Sequence, residues 1–219
     1  MDQLLLVKIG REARMRDFCE NGTVFMRRLG AYMTMEGKVR GDPNEGLIAH
    51  YTAKNPTLKV HATVGGTRIP LKVANLKVSC SAKNHAVFCM SAIDVPGDGT
   101  FSADRDLAPF LRDKRLMEFG DTVIIFKDSK EFIRRLENAA KVSGQDLDAE
   151  GPGPVHYVPD SYCGKTGPYT KIGDYAYQQE FRFMTDKPIC GESITLKLGS
   201  LMDIVLRLDL VEFHRTIAA

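Results

Sequence analysis

No apolar run in this sequence approaches the ~18–20 residues that a membrane helix requires, which predicts a soluble protein with no membrane partner. The opening stretch, Met-Asp-Gln-Leu-Leu-Leu-Val-Lys-Ile-Gly, is apolar only briefly, and no small-residue cleavage pattern follows it. It reads as a first strand and not as a signal peptide. Cysteine is too sparse for a disulfide framework. The five residues Cys19, Cys80, Cys89, Cys163 and Cys190 are odd in number and unevenly spaced, as expected of reduced thiols in a cytoplasmic protein. Metal-site spacing is missing too. His50, His61, His85, His156 and His214 are scattered, without a His-x-x-x-His, a Cys-x-x-Cys or an Asp-rich loop, so no metal is expected. Ser91 lacks a Gly-x-Ser-x-Gly elbow, and Gly65-Gly66 lacks the Gly-Lys-Ser/Thr of a phosphate loop.

Charge of one sign is also absent over a long stretch. Between Glu45 and Asp94 there is no carboxylate, yet Lys54, Lys59, Arg68, Lys72, Lys77 and Lys83 all fall there. Carboxylates then collect from Asp94 to Glu150. The net charge of +2 is too small to indicate nucleic acid by itself. A positive half can nonetheless steer an anionic small molecule such as a nucleotide, or attract nucleic acid electrostatically. The same lysines also suit exposed strand faces and edges.

What is present describes an ordinary globular chain: 219 residues, 43% hydrophobic and 26% charged. A chain of this length buries roughly 70% of the surface it exposes when unfolded, enough for a core without disulfides. We expect one domain over 1–219, with a mobile loop at about 143–154. Residues 3–9 suit a buried strand, and 11–19 a short helix stopped by Asn21-Gly22. Residues 23–26 read as a strand, and 27–35 as a helix or an irregular turn. Strands at 58–64 and 67–73 flank Gly65-Gly66 as a hairpin. Further strands fall at 76–80, 86–93, 121–126, 155–158, 175–184, 193–198 and 204–215. A helix broken around Pro109 is expected over 104–116. The clearest helix spans 129–142, with Asp128 as cap, Glu131 three residues on, and a stripe of Phe132, Ile133, Leu136, Ala139 and Ala140. Residues 164–173 read as a polar loop. Strands outnumber helices without strict alternation, so the fold class is α+β, with a mixed, mostly antiparallel sheet and three or four helices.

Period-2 geometry over 175–184 places Tyr175, Tyr177, Phe181 and Phe183 on a core face and Gln178, Glu180 and Arg182 on the other. A carboxylate between an amide and a guanidinium can bind a polar ligand or act as a base. Facing water, Glu180 and Arg182 would be an ordinary ion pair. The 39–46 loop adds Arg40, Asp42 and Glu45, of which Glu45 is not needed by the turn. Pairing of Arg182 with Asp42 or Glu45 would be a purely structural use of both groups. Cys89 and Ser91 share a strand face, but His85 is not a specific enough base to make a nucleophile of Cys89.

Three features together resemble a broad group of bacterial and phage proteins: Gly22-Thr23-Val24-Phe25 before Gly41-Asp42-Pro43-Asn44-Glu45, the Cys89-Met90-Ser91 strand, and Tyr177-Gln178-Gln179-Glu180-Phe181-Arg182 before Leu198-Gly199-Ser200. The order of polar residues is also similar to that of ADP-ribosyltransferase folds, which carry a Ser-bearing central strand and a later Gln-x-Glu. Where that family has an Arg or His on its first strand, this chain offers Lys8 or, less directly, Arg27. The resemblance implies an NAD- or nucleotide-processing transferase with Glu180 catalytic and Ser91 supporting the nicotinamide ribose. Gln178, Arg182, Arg40, Asp42 and Glu45 would complete its ligand site. The competing expectation is a non-enzymatic protein of phage–bacterial conflict that binds a nucleotide signal or a protein partner.

Overall fold

Capped helices and β-branched runs settle into sheets whose pairing is almost wholly antiparallel. The structure, a computed structural model, describes residues 3–35, 41–52, 59–71, 75–79, 81–95, 101–148 and 151–218. Arg40, Cys80 and residues 96–99, whose Pro-Gly-Asp-Gly sequence reads as a loop, lie outside them.

The chain begins with β1 (Gln3–Gly10), α1 (Glu12–Asn21) and β2 (Thr23–Arg28), then a 3-10 segment at Leu29–Thr34. Next come β3 (Leu47–Thr52), β4 (Val60–Val64), β5 (Thr67–Leu71), β6 (Asn75–Ser79) and the long β7 (His85–Val95). Helical turns between 103 and 118, with α2 (Ala108–Leu111) among them, lead to β8 (Thr122–Phe126) and α3 (Ser129–Val142). Four short strands follow: β9 (Gly153–Pro154), β10 (His156–Val158), β11 (Gly164–Lys165) and β12 (Thr170–Ile172). The chain closes with β13 (Glu180–Pro188), β14 (Ser193–Lys197), β15 (Val205–Asp209) and α4 (Leu210–Ala218).

Eight strands make the main sheet, and β3, β6 and β11 make a smaller one. Of the strand pairs, β10 with β12 is parallel and the rest are antiparallel. The fold is therefore α+β with a mostly antiparallel sheet, as expected. No helix among the described residues is long and apolar enough to cross a membrane.

Both faces of the main sheet are covered. Leu6, Phe88, Ile124, Phe126 and Phe183 pack with Phe18 of α1 and Phe132 of α3 on one face. Val7, Ile93 and Val123 pack with Phe110, Leu116 and Leu210 on the other. Neighbouring residues enter opposite cores, the signature of a central strand. The capping reading of α3 holds: Asp128 Oδ1 accepts from the Glu131 N–H at 2.9 Å, and Phe132, Leu136 and Ala140 are fully buried.

One irregularity of this sheet creates the site. Val87 pairs with Arg27 of β2 and with Met184 of β13, while Ser91 pairs with Val7 of β1 and with Glu180 of β13. A strand has only two edges, so β1 and β2 lie end to end along the same edge of β7, opposite β13. Beyond Val7, β1 turns away to pair with β8, and the start of β2 pairs with β14. The sheet thus splits opposite Cys89, and α1 bridges the gap. Gly22 fixes the return into β2 with φ +59°, where a Cβ would meet the Gly199 carbonyl oxygen at 2.0 Å.

Several expectations are corrected. Residues 175–184 are not one strand: Ala176–Gln178 is a 3-10 turn, and Gln179 takes φ 43° before β13 starts at Glu180. Gln178 therefore does not share a strand face with Glu180. Residues 204–215 are a strand followed by a helix, the turn being made where the Asp209 carboxylate accepts from the Glu212 N–H at 2.9 Å. Pro109 sits in the first turn of α2 and starts that helix. The 164–173 stretch contains β11 and β12 and a buried lysine, Lys171. Apart from these corrections, Leu147 bridges to Thr185 and Gly153 pairs with Arg182, on either side of the undescribed residues 149–150.

Candidate functional site

The split opens into a cleft of about 510 Å³, within the roughly 300–1,000 Å³ of small-molecule sites. Its rim carries Lys8 from β1, Arg11 and Arg14 from the start of α1, and Arg27 from β2. Phe25, Phe88 and Phe119 supply apolar wall. Lys8 Nζ donates to the Cys89 carbonyl oxygen, at the strand edge that β1 and β2 leave, and stands 4.5 Å from the Phe88 ring centre. Among the described residues no carboxylate lies within ion-pair distance of Arg11, Arg14 or Arg27. Asp17 lines the same wall and accepts from Asn21 Nδ2 at 2.7 Å.

The floor is a closed ion cluster. Arg182 grips Glu45 with Nη1 and Nη2 at 2.7 and 2.9 Å, donates from Nε to Glu180 at 2.5 Å, and reaches the Pro168 carbonyl oxygen. Lys171 Nζ meets the second oxygen of Glu180 at 2.5 Å and donates to Gln178 Oε1 at 2.8 Å. Arg182, Glu45, Glu180, Lys171 and Gln178 are all buried. β13 presents Glu180 and Arg182 on the face opposite Phe181 and Phe183, as period 2 requires, but that face meets the 42–45 loop and β12 instead of water. Pairing of Arg182 with Glu45 is the structural use foreseen from the sequence.

Electrostatics follow from the count of partners. Burial opposes the charge of Glu180, but Arg182 and then Lys171 hold its carboxyl well below the ordinary range. Glu45 has one cation, and there burial prevails and raises its pKa. Lys171 resists its own burial because Glu180 faces it, so its pKa is raised. Burial first, and Glu180 next, push the Cys89 thiol far up, which removes it as a thiolate nucleophile.

Of the residues expected to form a site, Gln178, Glu180, Arg182, Ser91 and Glu45 all line the cleft. Asp42 stands behind it: Oδ1 accepts from the Asn44 N–H at 2.8 Å, while buried Oδ2 has no partner among the described residues. Burial raises its pKa. Ser91 Oγ donates to the Gln178 carbonyl oxygen at 2.7 Å, pinning the turn before β13. Sequence reasoning missed Lys171 and the arginines of α1. A lysine in a polar loop is rarely buried unless paired, and its pairing was not visible. No cluster of three His, Cys, Asp or Glu side chains among the described residues could hold a metal ion.

The arrangement divides into a neutralised floor and a cationic rim. Both oxygens of Glu180 are occupied by cations, which makes it a poor proton acceptor. Comparison with protein-family models, with curated proteins and with solved structures finds no match to the chain.

Proposed function

We propose that the cleft binds a phosphate-bearing ligand of nucleotide type, with Glu180 serving as a strut and not as a reacting group. The observation that carries this reading is the rim: Arg11, Arg14 and Arg27 line the cleft without carboxylate partners among the described residues, beside Phe25 and Phe119. Guanidinium groups match phosphate oxygens in pairs, and an exposed ring offers a stacking surface to a base. NAD is one ligand of this chemistry. A chain of this kind sequesters a nucleotide signal without turning it over.

The test is a thermal-shift panel of NAD, ADP-ribose and nucleoside di- and triphosphates. A ligand at about 100 times its Kd stabilises by ~2.7 kcal/mol, which raises the melting temperature by roughly 5–10 °C in a chain this long. Arg14→Ala with Arg27→Ala should erase that shift and leave the unliganded melting temperature within a degree or two. No shift with any of these ligands at millimolar concentration defeats the proposal.

A second reading has one observation in its favour. Glu180 and Ser91 are direct partners across β13 and β7 and both line the cleft, the juxtaposition an ADP-ribosyltransferase-type enzyme would use. There, ionised Glu180 would orient a ribose hydroxyl without accepting a proton. NAD consumption that Glu180→Gln abolishes while binding persists would favour it over the first.

A further inference from the structure

The β4–β5 hairpin has no role in the cleft, and its surface is unlike the rest of the molecule. Among the described residues it pairs only with itself in the strand register. Of its described side chains, Ala62 alone is partly covered. A free two-stranded ribbon is at best marginal in water, so one that leaves both faces open is built to meet something. Gly65 and Gly66, with φ 54° and 81°, make the tight turn at its tip.

Its two faces differ. Ala62 lies opposite Ile69 and Val64 opposite Thr67, so these residues share one face with Leu71. On it Val64, Ile69 and Leu71 are 63, 45 and 48% exposed. The other face carries His61, Thr63 and Arg68, with exposed Lys59 at the entry to β4.

Charge gives the second, independent indication. None of the strands of the hairpin or of the small sheet whose β3 and β6 flank it in sequence, β3, β4, β5, β6 and β11, carries a carboxylate. The described strands of the carboxylate-free run from Gly46 to Ile93 thus fall in these two sheets and β7, with Lys165 of β11 exposed on the second of them. A surface that excludes one sign of charge is suited to a polyanion.

We propose that this hairpin is a nucleic-acid-binding arm that lies in the groove of a duplex. Five residues per strand give a ribbon about 17 Å long, and a major groove about 12 Å wide admits a two-stranded ribbon. The aliphatic face turns to the groove floor, where thymine methyl groups offer apolar contact. Lys59 and Arg68 reach the phosphate walls. This proposal does not depend on the cleft.

The experiment is fluorescence anisotropy of the full chain on a labelled DNA duplex of roughly 20 base pairs, between about 50 and 200 mM salt. Binding should weaken steeply with salt. Lys59→Ala with Arg68→Ala should lower affinity about tenfold or more and flatten the log–log salt slope by about 2, one for each phosphate that the variant leaves unneutralised. Because both side chains are exposed, that variant should melt with the wild type. Arg14→Ala with Arg27→Ala, in the cleft, should bind duplex normally. The proposal is overturned by absence of binding at low salt, by unaltered binding of the hairpin variant, or by loss of binding in the cleft variant alone. Equal competition by polyglutamate at matched charge would make an acidic protein the partner, and would also overturn it.

Discussion

Two arginines of this protein make nearly the same bonds in opposite surroundings. Arg182 lies between Glu180 at 2.5 Å and Glu45 at 2.7 Å and also donates to a backbone carbonyl. Arg135 on α3 lies between Glu131 at 2.8 Å and Asp203 at 2.5 Å and donates to the Ser200 carbonyl oxygen at 2.7 Å. The Arg182 side chain is 3% exposed and that of Arg135 21%, with its partner Asp203 at 58%. A list of hydrogen bonds would rate the two alike. What separates them is the cost of leaving a partner unpaired: in the interior the abandoned charge stays desolvated, and at the surface water takes the vacated place.

The largest predicted effect follows directly. Arg182→Met strands Glu45 in the interior and leaves Glu180 with Lys171 alone, and should cost about 3–5 kcal/mol in urea or thermal unfolding. Arg135→Met should cost a small fraction of that. Comparable losses for the two variants would mean that burial does not set the scale here.

The sequence showed the outline of this contrast but not its extent. Alternation placed Phe181 and Phe183 against Glu180 and Arg182, and the surplus carboxylate of the 39–46 loop suggested Glu45 as a partner. Both hold because period 2 and turn chemistry are local. Gln178 was misplaced because the chain enters β13 through Gln179 in a left-handed conformation that no glycine or asparagine announces. That turn is held from outside, by the Ala92 N–H on the Gln179 carbonyl at 2.8 Å and by Ser91 on that of Gln178. The end of the chain carried a readable signal: Asp209 followed by Glu212 is a cap pattern, and the helix begins there. The cleft had none, since it arises from two strands sharing one edge of a third. A tertiary pairing of that kind leaves no period in a sequence.

A smaller effect isolates Glu180. Glu180→Gln keeps an acceptor for Arg182 but removes the charge facing Lys171, and should cost about 2 kcal/mol at neutral pH. The folded protein holds this carboxyl below its ordinary value of 4.5, so its contribution is present above that pH. It is lost as pH falls through the folded pKa. The gap between wild type and variant should therefore close steadily as pH falls below 4.5. Glu45 runs the other way, because burial raises its pKa and its ionisation lowers stability as pH rises past 4.5. Glu180→Gln also relieves Glu45 of a neighbouring negative charge that helps raise its pKa, so the part of the profile that reports on Glu180 is the closing below 4.5, where Glu45 in the wild-type fold is already protonated. A gap that widens on acidification would mean that Glu180 is protonated in the folded state.

The smallest effect lies at the surface and sharpens the contrast from the other side. Arg134 and then Arg135 bring the Glu131 carboxyl down from 4.5 to about 2 although it is solvated. Its contribution is present above pH 4.5 and lost between 4.5 and about 2, the same sign as for Glu180. The two should part in their response to salt. Screening over a Debye length of about 10 Å at 0.1 M weakens exposed pairs and leaves buried ones nearly untouched. Glu131→Gln should thus change the melting temperature by much less than Glu180→Gln, and by less still at about 1 M salt, where the Glu180→Gln gap persists. A carboxyl titration followed by NMR supplies the direct measurement. Glu131 titrating near 4.5 would show that these bonds, though short, do not hold the charge, and the surface cluster would then have no measurable part in stability.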